Sequence, residues 1–153
     1  MNIKKAYNFK EVNELVTCSG TLKKVNLQSL FDEGYQVVIN LLPDDSEYAV
    51  EGEKRAFEES GIHYVYIPVD WDEPKQSDFE TFESELKSSE GKKVHIHCAA
   101  NFRVTAFYSI YAFRNRGWSK SELSGFVGSI WQLSEYPVWD KFVSGYINKT
   151  QRD

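Results

Sequence analysis

The chain has 153 residues, 41% of them hydrophobic and 15% aromatic, which predicts one domain over residues 1–153 with a core of its own, not a disordered segment. Eighteen basic against 23 acidic residues give a net charge of −5, which offers no general attraction to nucleic acid or to an anionic membrane. No apolar run reaches the length of a leader peptide or the roughly 20 residues of a membrane span, so a soluble cytoplasmic protein is expected.

In chain order, a short strand is predicted around Leu15 to Cys18, followed by a turn at Ser19-Gly20. Leu27, Leu30 and Phe31 mark one face of a short helix closed by Gly34. The run Val37 to Leu42 is continuously apolar and ends at Pro43, as in a strand buried on both faces. An acidic, exposed helix is expected from Glu47 to Ser60, closed by Gly61, and then a strand from His63 to Val69 interrupted by Pro68. Ser77 followed by Glu80 has the spacing of a capping box for a helix burying Phe79, Phe82 and Leu86. Val94 to His97 forms the next strand.

Beyond it, Val104, Phe107, Tyr108, Tyr111 and Ala112 recur at helical spacing, with Gly117 as the stop. Ser119 with Glu122 caps a further helix carrying Leu123, Phe126, Val127, Ile130 and Trp131. A last helix from Glu135 to Ile147 carries Trp139, Phe142, Val143 and Tyr146. These aromatics read as core. The alternation of strands and helices predicts an α/β fold of three layers, a mostly parallel central sheet flanked by helices. Ligands of such sheets bind beyond the carboxyl ends of the strands.

Two strand exits carry reactive side chains. One is Val69 into Asp70-Trp71-Asp72; the other is His97-Cys98-Ala99-Ala100-Asn101-Phe102-Arg103-Val104-Thr105. A cysteine that ends a strand just before a helix meets loop N–H groups and a helix N-terminus, which favour a thiolate and bind anions. A guanidinium clamps two oxygens of a phosphate with its planar fork, and Arg103 is at hand. A carboxylic acid would protonate a leaving oxygen, and a hydroxyl, Thr105, would steady the departing thiolate. The two cysteines are too few for a disulfide framework, and Cys18 reads as a reduced, buried thiol. His97 is the orienting group of the loop, and His95 a satisfied core histidine. Neither makes a metal set with Cys98, because neighbouring strand residues face opposite ways.

The loop resembles that of the cysteine-dependent tyrosine and dual-specificity phosphatases, whose motif is His-Cys, five residues, Arg, then Ser or Thr. His97, Cys98 and Thr105 match it, and Asn101 stands at the usual glycine, where a positive φ is tolerated by Asn. The arginine position falls on Val104, and Arg103 lies one residue early. Ser19-Gly20, Val38 to Leu41, Gly61 to Tyr64 and Ile67 to Val69 extend the resemblance to compact dual-specificity-like domains. It is closest to bacterial phosphatase-like domains of unknown function with a His-Cys-Ala-Ala-Asn-x-Arg-Val-Ser/Thr-Ala-Phe loop.

Two registers fit. With the usual loop length, Arg103 reaches the anion from a neighbouring position. With a loop one residue shorter, Val104 takes the hydroxyl's place and the loop is similar to that of rhodanese-type sulfurtransferases. The upstream segments favour the first. The resemblance implies Cys98 as nucleophile toward a phosphomonoester through a thiophosphate, Asp70 before Asp72 as acid, and residues 98–104 as the phosphate cradle. The alternatives are a catalytically weak anion-binding module and a sulfurtransferase. It implies no cofactor and no metal, and a phosphorylated substrate or small anion (phosphate, sulfate) as partner, with no nucleic acid and no membrane; oligomeric state is left open. Trp71 either covers the pocket mouth or pins its loop to the core.

Overall fold

The computed structural model describes residues 2–151. Its strands are β1 (Lys10–Glu11), β2 (Val16–Ser19), β3 (Val37–Asn40), β4 (His63–Tyr66) and β5 (Val94–His97), in the spatial order β1-β2-β5-β3-β4. Among the described residues, β1 alone runs antiparallel; the other pairings are parallel. Every residue of β3 and β5 is buried, as expected of strands covered on both faces.

Helices α1 (Lys24–Asp32) and α2 (Glu53–Glu59) cover one face, where Leu27, Leu30 and Phe57 pack against Val38. The other face is covered by α3 (Gln76–Ser88), α4 (Phe102–Asn115), α5 (Lys120–Gly128) and α6 (Pro137–Gln151). There Phe79, Phe82, Phe107 and Trp139 are fully buried; Phe107 meets Phe79 and Phe82 edge to face and lies tilted against Trp139. The result is the three-layer, mostly parallel α/β arrangement. No helix among the described residues is long and apolar enough to cross a membrane.

Some boundaries differ from the sequence pattern for local reasons. The acidic helix expected from Glu47 is only α2: Gly52, with φ +80°, sits at its N-cap and turns the chain. Residues 44–52 instead form turns, tied at Tyr48 O by the Thr21 hydroxyl at 2.6 Å. The box expected from Ser77 and Glu80 does not form, because α3 starts earlier, at Gln76, with Lys75 as an uncapped N-cap. The Ser119–Glu122 box does form, with both bonds at 3.0 Å. Ladder pairing in β4 stops at Tyr66, yet Ile67 and Val69 still donate to Asn40 O and Leu41 O across Pro68. Ile130 and Trp131 lie past the end of α5.

Candidate active site

β5 lies between β2 and β3, so its carboxyl end opens at the middle of the sheet, and Cys98 is the first residue beyond it. The loop that follows is shaped from outside. Thr21 N donates to Ala99 O at 2.8 Å, and Asn8 Nδ2 donates to Ala100 O at 3.0 Å. Asn101 Nδ2 returns the contact to Asn8 O at 2.8 Å. With those carbonyls held outward, the N–H groups of residues 99–104 meet no protein acceptor among the described residues. They are unpaired donors at the start of α4, where a helix N-terminus favours an anion.

Asn101 has φ +69°, the left-handed conformation expected of it, and its side-chain bonds hold that turn. Gly20 is as necessary: a Cβ there would stand 2.5 Å from Ala99 O and 3.0 Å from Ala100 Cα. Neither Gly20 nor Asn8 stood out in the sequence as part of the site; a glycine immediately after a buried strand was the only signal.

Arg103 is the second residue of α4. Its Nε donates to Val69 O at 2.9 Å, and its guanidinium lies over the Trp71 ring, 5.3 Å from the centroid. That bond uses Nε and leaves the terminal nitrogens for the neighbouring Cys98 and for an anion. Burial pulls the guanidinium below its ordinary value, opposed by the neighbouring Cys98 and then by Asp70 and Asp72. Arg103 therefore stands beside Cys98, while Val104 is buried in the core and contributes only its N–H to the loop. Phe102 stacks on Trp131 at 4.6 Å and also packs near the Trp71 ring.

Thr105 is placed differently from expectation. Its hydroxyl proton goes to Asn101 O (2.8 Å) and Phe102 O (3.1 Å), and it accepts from Trp131 Nε1 at 2.9 Å. It braces the first turn of α4. Of the two registers, the structure keeps the arginine beside the cysteine but engages the hydroxyl elsewhere.

Asp70 is exposed and lines a cleft of about 360 Å³ with Pro43, Asp45, Ser46, Trp71 and Arg103. Its Oδ1 accepts from Asp72 N at 2.8 Å, closing a turn, and Asp72 itself is not among the residues that line the cleft. Trp71 pins its loop to the core and also lines the cleft. Its ring stacks on Trp139 and touches Trp131 and Tyr136, its carbonyl accepts from Trp139 Nε1 at 2.8 Å, and it walls the cleft.

Behind the loop, two histidines face the α1–α2 layer. Ser19 Oγ gives its proton to Gly20 O, so His95 Nε2 must donate to Ser19 and His95 Nδ1 must accept from Thr17. Tyr35 completes the chain by donating to Thr17. Burial first, then the neighbouring His97, holds His95 well below the usual histidine range, so it is a neutral core residue. His97 Nε2 lies 2.7 Å from Glu53 Oε2, and both side chains are buried. Cys18 shares the α4 face of the sheet with Cys98. Burial, opposed by the Asn101 amide, pushes its thiol up to about 12, which makes it inert.

No protein-family model matches the chain. A crystal structure from Shewanella putrefaciens CN-32, named "Putative phosphatase (DUF442)", is 31% identical and aligns over 97% of this chain and 96% of its own, with a TM-score of 0.87. The chain belongs to the DUF442 family. Tyrosine-phosphatase-like proteins share the fold of this DUF442 protein: TpbA of P. aeruginosa in complex with pTyr has a TM-score of 0.72 at 15% identity, over 90% of this chain and 83% of its own. Among curated proteins, a beta-lactamase hydrolase-like protein of Agrobacterium fabrum is 30% identical over 100 residues, 63% of this chain. The chain spans only 23% of that relative's length.

Proposed function

We propose that this DUF442 protein hydrolyses a phosphomonoester with Cys98 as the nucleophile. The observation that carries the reading is that the Arg103 guanidinium neighbours Cys98 while the N–H groups of residues 99–104, at the start of α4, meet no protein acceptor among the described residues. These donors would hold the three equatorial oxygens as charge builds on them, where such contacts act most strongly. The Cys98 thiolate attacks phosphorus, the S–P bond forms and the ester P–O bond breaks. Asp70, on the cleft wall, gives its proton to the leaving oxygen; Asp72 is second in line. Water then attacks phosphorus, its proton passes to the Asp70 carboxylate, the S–P bond breaks and phosphate leaves. The substrate is a phosphorylated molecule whose reacting end enters beside the cleft of Asp70, Trp71 and Arg103.

A second reading, sulfur transfer, is favoured by Thr105. Its proton lies on main-chain carbonyls, so it does not stabilise a departing Cys98 thiolate. One experiment separates the two. Purified protein is assayed on an aryl phosphate and, separately, on thiosulfate with cyanide, beside Cys98→Ser and Asp70→Asn. Phosphate release abolished by Cys98→Ser and reduced by Asp70→Asn supports the phosphatase. Thiocyanate formation without phosphate release overturns it in favour of sulfur transfer, and vanadate binding with neither turnover leaves an anion-binding module.

A further inference from the structure

Glu53 is the only carboxylate among the described residues to be buried beside the strand that delivers Cys98. It belongs to α2, on the face of the sheet opposite Cys98, and opens outward only into a separate cleft that it shares with Asn40 and Tyr64. Its hydrogen bonds form a chain with one direction. Leu42 N donates to Asn40 Oδ1 at 2.8 Å, and Asn40 Nδ2 donates to Tyr64 Oη at 2.9 Å. The Tyr64 hydroxyl donates to Glu53 Oε2 at 3.0 Å, the same oxygen that faces His97 Nε2 at 2.7 Å. The chain begins at a main-chain N–H and runs to Glu53 Oε2. With Glu53 accepting both bonds, the proton it shares with His97 lies on Nε2, and His97 Nδ1 is buried with no partner.

We propose that Glu53 is a positioning residue of the Cys98 site, acting through His97. The inference rests on Cys98 being the reactive thiol. His97 and Cys98 share a peptide bond at the end of β5 and project to opposite faces. An imidazole fixed by Glu53 fixes the backbone from which the thiol and the first N–H groups of the cradle depart. Asn40 pairs with His97 in the ladder, so the same chain also ties that backbone to β3. Nothing in the sequence signals the role, since Glu53 stands among exposed acidic neighbours.

The test reads thiol chemistry and ring protonation apart from turnover. Iodoacetamide is applied to the full chain at neutral pH, and mass spectrometry follows Cys98 separately from Cys18. Glu53→Leu, which removes the acceptor, slows Cys98 alkylation about fivefold or more. Glu53→Gln, whose Oε1 can take both bonds, restores it to within about twofold. Long-range nitrogen–proton spectra of the unaltered protein show a proton on His97 Nε2, whether or not Glu53→Leu folds. A His97 protonated at Nδ1 alone overturns the proposal, as does alkylation of folded Glu53→Leu at the unaltered rate. Should Cys98 of the unaltered protein resist alkylation, the nucleophile assignment fails, and with it this role for Glu53; a loss of phosphatase turnover with Cys98 still reactive fails the assignment of the reaction alone.

Discussion

Replacing Gly20 by alanine should disable the Cys98 loop while leaving the sheet in place. The new methyl carbon would stand 2.5 Å from Ala99 O, against about 3.4 Å for ordinary contact, so the loop must retreat by roughly 0.9 Å. The Tyr7 ring, 2.8 Å from the same point, can swing aside because it is exposed; the Ala99 carbonyl cannot, because Thr21 N holds it at 2.8 Å. Overpacking of this kind costs about 1–3 kcal/mol of stability, a few degrees in melting temperature for a domain of this size. A shift of about 1 Å in a catalytic constellation costs on the order of a hundredfold in rate. Aryl phosphate turnover, vanadate binding and thermal unfolding, measured together on Gly20→Ala, give the comparison. Full turnover at an unaltered melting temperature would refute the idea that this close approach shapes the loop.

Arg103→Lys keeps the charge but loses the fork and the bond to Val69 O. Turnover should fall about 10²–10³-fold with little change in unfolding temperature, and retained turnover would show that the fork is not the clamp. At Asn101, alanine loses the side-chain bonds and keeps the strained φ, whereas glycine relieves the strain. Denaturant unfolding should rank the wild type above Asn101→Gly and that above Asn101→Ala, the last two about 1 kcal/mol apart. His95 gives stability a defined pH dependence. Its folded pKa lies well below 6.5, so the unfolded chain binds the proton first and stability falls as pH drops below about 6.5. The slope contributed is at most about 1.4 kcal/mol per pH unit and is absent above that range, and a flat profile below about pH 6.5 in urea unfolding would contradict a buried, neutral His95.

The layers and strand exits were legible because they rest on periodicity. Val37 to Asn40, Val94 to His97 and the stripe from Val104 to Ala112 carry patterns that only a doubly covered sheet and a buried helix satisfy. The placement of Cys98, Asn101 and Arg103 together was legible because they fall at one strand-to-helix junction, where Asn101 also supplies the positive φ. What the sequence withheld depends on long-range hydrogen bonding. Thr105 could have faced the sulfur or its own helix, and Trp131, 26 residues later, decides between them. Glu53 looked like its exposed neighbours until His97, 44 residues on, claimed its carboxylate. The helix expected from Glu47 was shortened by Gly52, whose left-handed turn is invisible to a pattern of charges.

The reciprocal bonds between Asn8 and residues 100 and 101 bridge 92 and 93 positions of chain. The loop after β5 is therefore shaped by a segment that lies before the first strand. A chain with its core formed but Asn8 undocked would look folded by helix content while lacking the side-chain bonds that hold residues 100 and 101 in place.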